Sequence, residues 1–409
     1  MAVAAPVNTV PTPGVCAPLG YRAGAAAADV RGHGDTTRLD IALLRSEPLA
    51  SAAGVFTRNV VKAAPVVISQ LTLRRGTPVG GVVLNAGNAN ACTGAQGFRD
   101  ALRMCASAAE VLDLDPSEVL VCSTGVIGRP LPVARVAAGI RAAGALDDTT
   151  GDAVARAILT TDRRPKVAMA TVDQGGVRHI VGGMAKGSGM LHPDLATLLA
   201  VITTDAAVPT AVLQPLLQRV ADATFNCVTV DGDTSTNDSV ILLANGAAGG
   251  PALDGGPGLA ALEGAVLDVC DSLAEQLVAD AEGAERYFRV AVSSAADDAQ
   301  ARRAARVVAQ SPLVKSAVHG GDPNWGRVVA ALGRSGASFT LDRCRVDIGG
   351  FTVFERGAPA LVDLDEVGRE LRKRRVDMTI DLGAGDGAGH AWGCELTAEY
   401  VHINADYTT

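Results

Sequence analysis

The chain has 409 residues, 48% of them hydrophobic and 20% charged, enough to bury a large core and to favour two or three structural units over one. Aromatics make up only 3%, so the core is expected to be packed from small aliphatics, and a stacking surface for single-stranded nucleic acid is not expected. The net charge of −8 argues against a phosphate-backbone binder, since the densest basic run, RELRKRR at 369–375, is short, follows the acids of DLDEVG and reads as a solvated helix face.

Residues 1–20 read as a Pro-rich, loosely ordered lead, with no continuous apolar region of the kind a signal peptide carries. Short β-rich runs follow at 39–44 and 64–68. GVVLNAGNANACTG (81–94) reads as a buried strand ending in an Asn/Gly loop. GFRDALRMCASAAEVLDL (97–114) has helical period, with Leu102, Cys105, Ala109 and Leu112 on one face. VLVCSTGVIGRP (119–130) is again a strand running into a Gly-punctuated turn, and 132–143 and 152–159 are helical. PTAVLQPLLQRVADATF (209–225) is a helix with a kink or restart at Pro215. FNCVTVDGDTSTNDSVILLANG (225–246) reads strand, acidic-hydroxyl loop, strand. LAALEGAVLDVCDSLAEQLVADAEGAER (259–286) is a long amphipathic helix. A strand at 287–294 and a helix at 297–310 come next. The last hundred residues alternate strands (RCRVDI, VDMTIDL) with one helix, DEVGRELRKR.

Helices and strands are interleaved throughout, so the fold class is α/β (α+β), with layered sheets flanked by helices and no short-period repeat. The change of pattern at Tyr287 divides the chain into 1–286 and 287–409. Eight cysteines are spread from Cys16 to Cys394 with no CxxC, and Cys122, Cys227 and Cys270 read as buried thiols, which fits a reducing compartment. No apolar stretch reaches the roughly 20 residues that span a bilayer, so a soluble cytoplasmic protein is expected, without nucleic-acid or membrane partners.

Most familiar motifs fail. There is no GxxxxGK[ST], HExxH or GxSxG, and GAGDGAGHAWG (383–393) does not satisfy GxGxxG. The six histidines are scattered, so no metal is expected. HGGDPNWGR (319–327) reads as a structural turn that helps to shape a site.

KGSGMLHPDLATLLAVITTDA (186–206) is different. It places Thr197 inside an apolar run with no base nearby in sequence. A threonine hydroxyl needs a base to be nucleophilic, and one solution supplies it without a second side chain. If the chain cuts itself between Ala196 and Thr197, the new α-amine of Thr197 takes the proton. An α-amine titrates near 7.7–8.0, so a good fraction is free base at neutral pH. The small Ala196 leaves the bond accessible, and the Gly/Pro-rich turn before it exposes it. The bland alternative is a core threonine.

The segments NAGNANACTG, CSTGVIGRP, ILTTDRRPK, KGSGMLHPDLATLLAVITTDA, VDGDTSTNDS, AEGAER, HGGDPNWGR and the terminal INADYTT together resemble the ornithine acetyltransferase family, the glutamate N-acetyltransferases of the cyclic arginine pathway, from about Gly20 to Thr409. The resemblance implies a DmpA/ornithine-acetyltransferase-like fold and self-cleavage at Ala196–Thr197 into an α part (1–196) and a β part (197–409) that stay associated, as a heterotetramer of two α and two β. It implies Thr197 as nucleophile and Thr124 and Gly125 as the oxyanion hole. It further implies Thr160, Lys186, Thr197, Glu282, Asn404 and Thr409 as substrate contacts, the choice between Thr160 and Thr161 staying open. In that reading 1–286 is the catalytic core and the tail of 287–409 returns to the active site. Lys186 suits a substrate carboxylate and Glu282 the ornithine ammonium. The implied reaction moves acetyl from N2-acetyl-L-ornithine to L-glutamate by a ping-pong acetyl-threonine route. No cofactor is implied, although family members that take acetyl-CoA as donor share the same motifs. The chain departs from the family at Arg163 and Arg164, more basic than usual, and at Asp194, where Asn is frequent. Two other readings are an N-terminal-nucleophile amidase or aminopeptidase on a related fold, and a non-catalytic amino-acid-binding protein with an intact chain.

Overall fold

The computed structural model of the chain describes residues 13–192 and 198–406. In chain order the elements are β1 (Tyr21–Ala26), β2 (Ile41–Phe56), α1 (Ala64–Arg74), β3 (Val79–Asn88), α2 (Gly94–Leu112), β4 (Val119–Val126), α3 (Val133–Ala143), α4 (Asp152–Ala157), β5 (Lys166–Gln174), β6 (Val177–Lys186), β7 (Leu199–Thr204), α5 (Thr210–Ala223), β8 (Val228–Thr229), β9 (Ser239–Ala244) and α6 (Gly256–Ala279). Then follow β10 (Tyr287–Ala295), α7 (Asp298–Gln310), α8 (Pro312–Gly320), α9 (Trp325–Gly333), β11 (Arg345–Ile348), β12 (Phe351–Glu355), β13 (Ala358–Pro359), α10 (Leu364–Leu371), β14 (Arg375–Asp381), β15 (Gly387–Cys394) and α11 (Ala398–Asp406).

The strands form two mixed sheets. The first has the order β4-β3-β2-β9-β7-β6-β5, with β1 added against β2. The long strand β2 joins its two halves: Ile41–Arg45 pairs with β3, and Ser51–Phe56 pairs with β9. The halves pack on each other. Ala42, Leu44, Val82, Leu84 and Leu120 from one meet Met184, Leu199, Val201, Ile241 and Leu243 from the other. The alternate residues face outward to helices, because side chains on a strand change face at every position. Ile41, Leu43, Val83, Val119 and Val121 lie under α2 and α3, and Ala200, Ile202, Val240 and Leu242 lie under α5 and α6. The result is helix–sheet–sheet–helix layering. Strands β3, β7 and β9 are buried along their whole lengths, which explains their largely apolar composition.

The second sheet has the order β13-β12-β11-β14-β10-β15-β8 and carries its own core beneath α7 and α9. Its edge strand β8 comes from before Tyr287, pairing Val228 with Trp392 and Thr229 with Gly393.

Several local readings change: the last hundred residues, read with one helix, hold α8, α9, α10 and α11. Residues 64–68 open helix α1 instead of a strand. Pro65 sits in its first turn, where no amide hydrogen is needed, and Ser69 one turn later bonds both the carbonyl and the amide of Val121 on β4. On α2, Leu102 is exposed, and Ala101, Met104, Cys105 and Ala108 carry the buried face. Helix α5 continues through Pro215, whose missing amide costs one bond near the helix start, while Leu213, Leu216 and Leu217 are fully buried around it. All eight cysteines are free thiols, and Cys122, Cys227 and Cys270 are buried as expected. Among the described residues no helix is long and apolar enough to cross a membrane, and no three His, Cys, Asp or Glu side chains gather as a metal site.

Candidate active site

The parallel strands β3 and β4 end side by side in NAGNAN and STG, and both loops are pinned from within. Asn85 accepts a hydrogen bond from Ser123 Oγ at 2.6 Å and donates to the Asn88 carbonyl at 2.9 Å. Asn237 donates to the carbonyls of Ala89 (2.6 Å) and Ser123 (2.8 Å), tying the VDGDTSTNDS loop to both strand ends. Gly125 has φ +131°, and a Cβ there would lie 2.3 Å from the Gly87 carbonyl carbon and 2.5 Å from the Asn88 nitrogen. Only glycine permits that approach.

A pocket opens above these strand ends. Its wall includes Thr124, Gly125, Thr160, Thr161, Lys186, Ser188, Glu282 and Asn404. Six residues expected at the site are thus brought together from five separate segments: Thr124, Gly125, Thr160, Lys186, Glu282 and Asn404. Ala196, Thr197 and Thr409 lie outside the described residues. Arg31, Ser188 and Asn237 also line the pocket; Ser188 and Asn237 fall inside the quoted KGSGM and VDGDTSTNDS segments without being named as site residues, and Arg31 lies outside every quoted segment. Thr160 and Thr161 both line it. The Thr161 hydroxyl is bound to Ser188 Oγ at 2.7 Å, whereas the Thr160 hydroxyl has no partner among the described residues.

Lys186, the last residue of β6, is buried at 3% exposure, and its Nζ donates to Thr124 Oγ1 at 3.1 Å. That bond occupies a lone pair of the Thr124 oxygen and leaves the hydroxyl proton free to be donated elsewhere. Burial pushes the Lys186 ammonium down from its usual range, and Asp162, Asp238 and Glu282 oppose the shift by favouring the charge. Asp162 accepts from Gly187 N at 2.7 Å and from Lys166 Nζ at 2.6 Å, and Lys166 reaches on to Asp280 Oδ2 at 2.8 Å. Burial would raise the Asp162 carboxyl, but Lys166 and Lys186 outweigh it and hold it at about 2. A buried, alternating chain of charges therefore stands behind the pocket.

Glu282 follows helix α6 rather than belonging to it, since α6 ends at Ala279. Its amide bonds to the Ser188 carbonyl at 2.9 Å, and Asn404 Nδ2 on α11 donates to its Oε2 at 2.9 Å. A Cβ on Gly189 would meet that carboxylate at 2.4 Å, so glycine there makes room for it. Asp231 bonds the amide of Leu191 at 3.0 Å and receives the Tyr400 hydroxyl at 3.3 Å, which fastens the returning tail over the pocket.

Asp238 is another residue that the sequence did not single out. It is fully buried, and its Oδ1 accepts the amide of Leu198, the residue after Thr197, at 3.2 Å. Its Oδ2 has no hydrogen-bond partner among the described residues. Burial raises its carboxyl well above the ordinary 3.8, against the pull of the Leu198 amide and Lys186. A folded-state value above the unfolded one contributes stability that is complete below pH 3.8 and is lost as pH rises through the folded value. Asp238→Asn keeps an acceptor for Leu198 and has no proton to lose. Thermal melts should therefore show the variant gaining on the wild type as pH rises from 4 toward 8, and a constant difference would contradict this assignment.

The ArgJ family model matches residues 22–409. The arginine biosynthesis bifunctional protein ArgJ of Symbiobacterium thermophilum is 49% identical over 398 residues, covering 97% of this chain and 98% of that protein. Its namesake from Thermus thermophilus is 48% identical over 392 residues, covering 96% and 99%. A crystal structure of arginine biosynthesis bifunctional protein ArgJ from Bacillus halodurans is 38% identical, covers 50% of this chain and 97% of its own, and has a TM-score of 0.49. With the family model matched to its last residue and relatives aligned along nearly their full lengths, this chain belongs to the ArgJ family.

Proposed function

We propose that the chain is an acyltransferase of arginine biosynthesis that moves the acetyl group of N2-acetyl-L-ornithine to L-glutamate through an acetyl ester on Thr197. The observation that carries this reading is the convergence of Thr124, Gly125, Thr160, Lys186, Glu282 and Asn404 on one pocket in an ArgJ-family chain.

The chemistry follows from those groups. Cleavage at Ala196–Thr197 frees the α-amine that serves as base. Thr197 Oγ attacks the acetyl carbonyl, its proton passes to the α-amine, and the developing oxyanion is met by the Thr124 hydroxyl and the Gly125 amide. Lys186 holds the Thr124 oxygen from behind, so the hydroxyl proton points away from Lys186, and the ammonium keeps two further hydrogens for a substrate carboxylate. The Thr160 hydroxyl is free to meet the substrate, and Glu282, steadied by Asn404, suits the ornithine side-chain ammonium. The α-ammonium of Thr197 then returns its proton to the departing ornithine amine. The glutamate amine attacks the ester, and N-acetylglutamate leaves. Acetyl-CoA serves as a second donor to glutamate. The processed parts 1–196 and 197–409 remain associated, two of each per assembly, in the cytoplasm, with Thr409 beside the substrate.

The test is the fate of the acetyl group. With acetylornithine and glutamate present, N-acetylglutamate should form faster than free acetate. Acetate as the main product would favour an amidase of the same nucleophile class. A chain that stays whole and transfers nothing would favour a binding protein.

A further inference from the structure

The basic run RELRKRR does not form a solvated helix face throughout. Helix α10 ends at Leu371, and beyond it Arg372 and Arg374 line a second cavity with Arg163, Arg164 and Arg286. Five arginines from three distant segments line one opening in a protein of net charge −8. Like charges held this close repel, so such a cluster favours an anion.

The acids nearby offset only part of it, pairing with Arg163 and Arg286. Asp280 is taken up by buried Lys166 at 2.8 Å and by Arg163 at 3.3 Å. Glu395 is held by Arg286 at 3.1 Å and His319 at 2.7 Å. Glu285 is the one further carboxylate in the described lining. The side chains of Arg164, Arg372 and Arg374 are exposed and make no hydrogen bond or ion pair among the described residues, so three planar forks are available. Guanidinium forks match phosphate oxygens two at a time.

The cavity also adjoins the active pocket. Thr160 and Thr161 line the pocket while Arg163 and Arg164 line the cavity; Glu282 lines the pocket while Asp280, Ala284 and Glu285 line the cavity. A residue spans at most about 3.6 Å, so along either segment the two linings are within about 10 Å of each other.

We propose that this arginine-lined cavity is a phosphate-binding site that holds the clustered phosphates of a coenzyme A-type acyl donor while its acetyl end enters the neighbouring pocket. The choice of donor rests on the acetyl-transfer reading above; the phosphate site does not. Acetylornithine carries no phosphate, so the two donors would share the pocket and differ in their use of the cavity.

The test uses the full-length enzyme and the double variant R372Q/R374Q, which alters two exposed side chains without bonds to the fold. Inorganic pyrophosphate, titrated calorimetrically, should bind the wild type in a salt-dependent manner and bind the variant about tenfold or more weakly. If the phosphates belong to the donor, the variant's KM for acetyl-CoA rises by about the same factor, acetylornithine–glutamate exchange is unchanged, and pyrophosphate competes with acetyl-CoA alone. Weakened pyrophosphate binding with an unmoved KM for acetyl-CoA would keep the phosphate site but assign it to a free phosphate anion, overturning the donor. No pyrophosphate binding by the wild type, or equal binding by the variant, would overturn the site. Absence of acetylornithine–glutamate exchange in the wild type would sink the acetyl-transfer reading and leave the titration to judge the cavity.

Discussion

Thr197→Ala should leave the chain as a single polypeptide of 41.5 kDa in denaturing electrophoresis, where the wild type yields two bands, one starting at Thr197. The same variant should lose kcat by on the order of 10⁶-fold, the scale seen when the nucleophile of an acyl-transfer enzyme is removed. Both losses have one cause, because one hydroxyl is asked to cut the Ala196–Thr197 bond and then to carry the acetyl group. The two readouts together separate this account from a rival. A variant that is still cut but inactive would mean that another group performs the cleavage. A variant that is uncut yet active would mean that the nucleophile lies elsewhere.

Thr124→Val should cost about 10²–10³-fold in kcat, roughly 3 kcal/mol, with little change in KM, as expected for a donor that acts mainly on the transition-state oxyanion. The substitution preserves shape and burial. It also removes the oxygen that Lys186 contacts at 3.1 Å, leaving a buried ammonium with one partner fewer. A modest loss of stability should accompany the kinetic loss. The two can be told apart by assaying well below the melting temperature. A rise in KM with kcat intact would show that Thr124 binds substrate and does not stabilise the oxyanion.

The local signals of the site were readable in the amino-acid sequence because they are punctuation. NAGNAN and STG each follow an unbroken apolar run, and Asn and Gly at a strand end mark a loop. The run LLAVITT is legible only as a buried apolar run, strand or helix, and it forms β7, parallel to β9. Partnerships across the fold were not readable. Lys166 meets Asp280 114 residues away, and Asn237 reaches Ser123 across 114 and Ala89 across 148. Nothing local distinguishes Asp238 from the other acids of its loop. Its burial follows from lying between β2 and β7, where Thr57 bonds its carbonyl and Leu198 its carboxyl. The segment at 64–68 misled for a related reason. Val66, Val67 and Ile68 have strand propensity, and tertiary packing against β4 overrode it. RELRKRR reads as a helix face by its composition, whereas its environment is set by where α10 ends.

The most direct measurement is the intact mass of the processed fragments after incubation with N2-acetylornithine alone. With no acceptor present, the fragment beginning at Thr197 should gain one acetyl group, located by peptide mapping on the Thr197 side-chain oxygen, and lose it when glutamate is added, with N-acetylglutamate appearing in equal amount. An unmodified fragment that nevertheless supports transfer, or an acetyl group on any other residue, would contradict the acetyl-threonine mechanism.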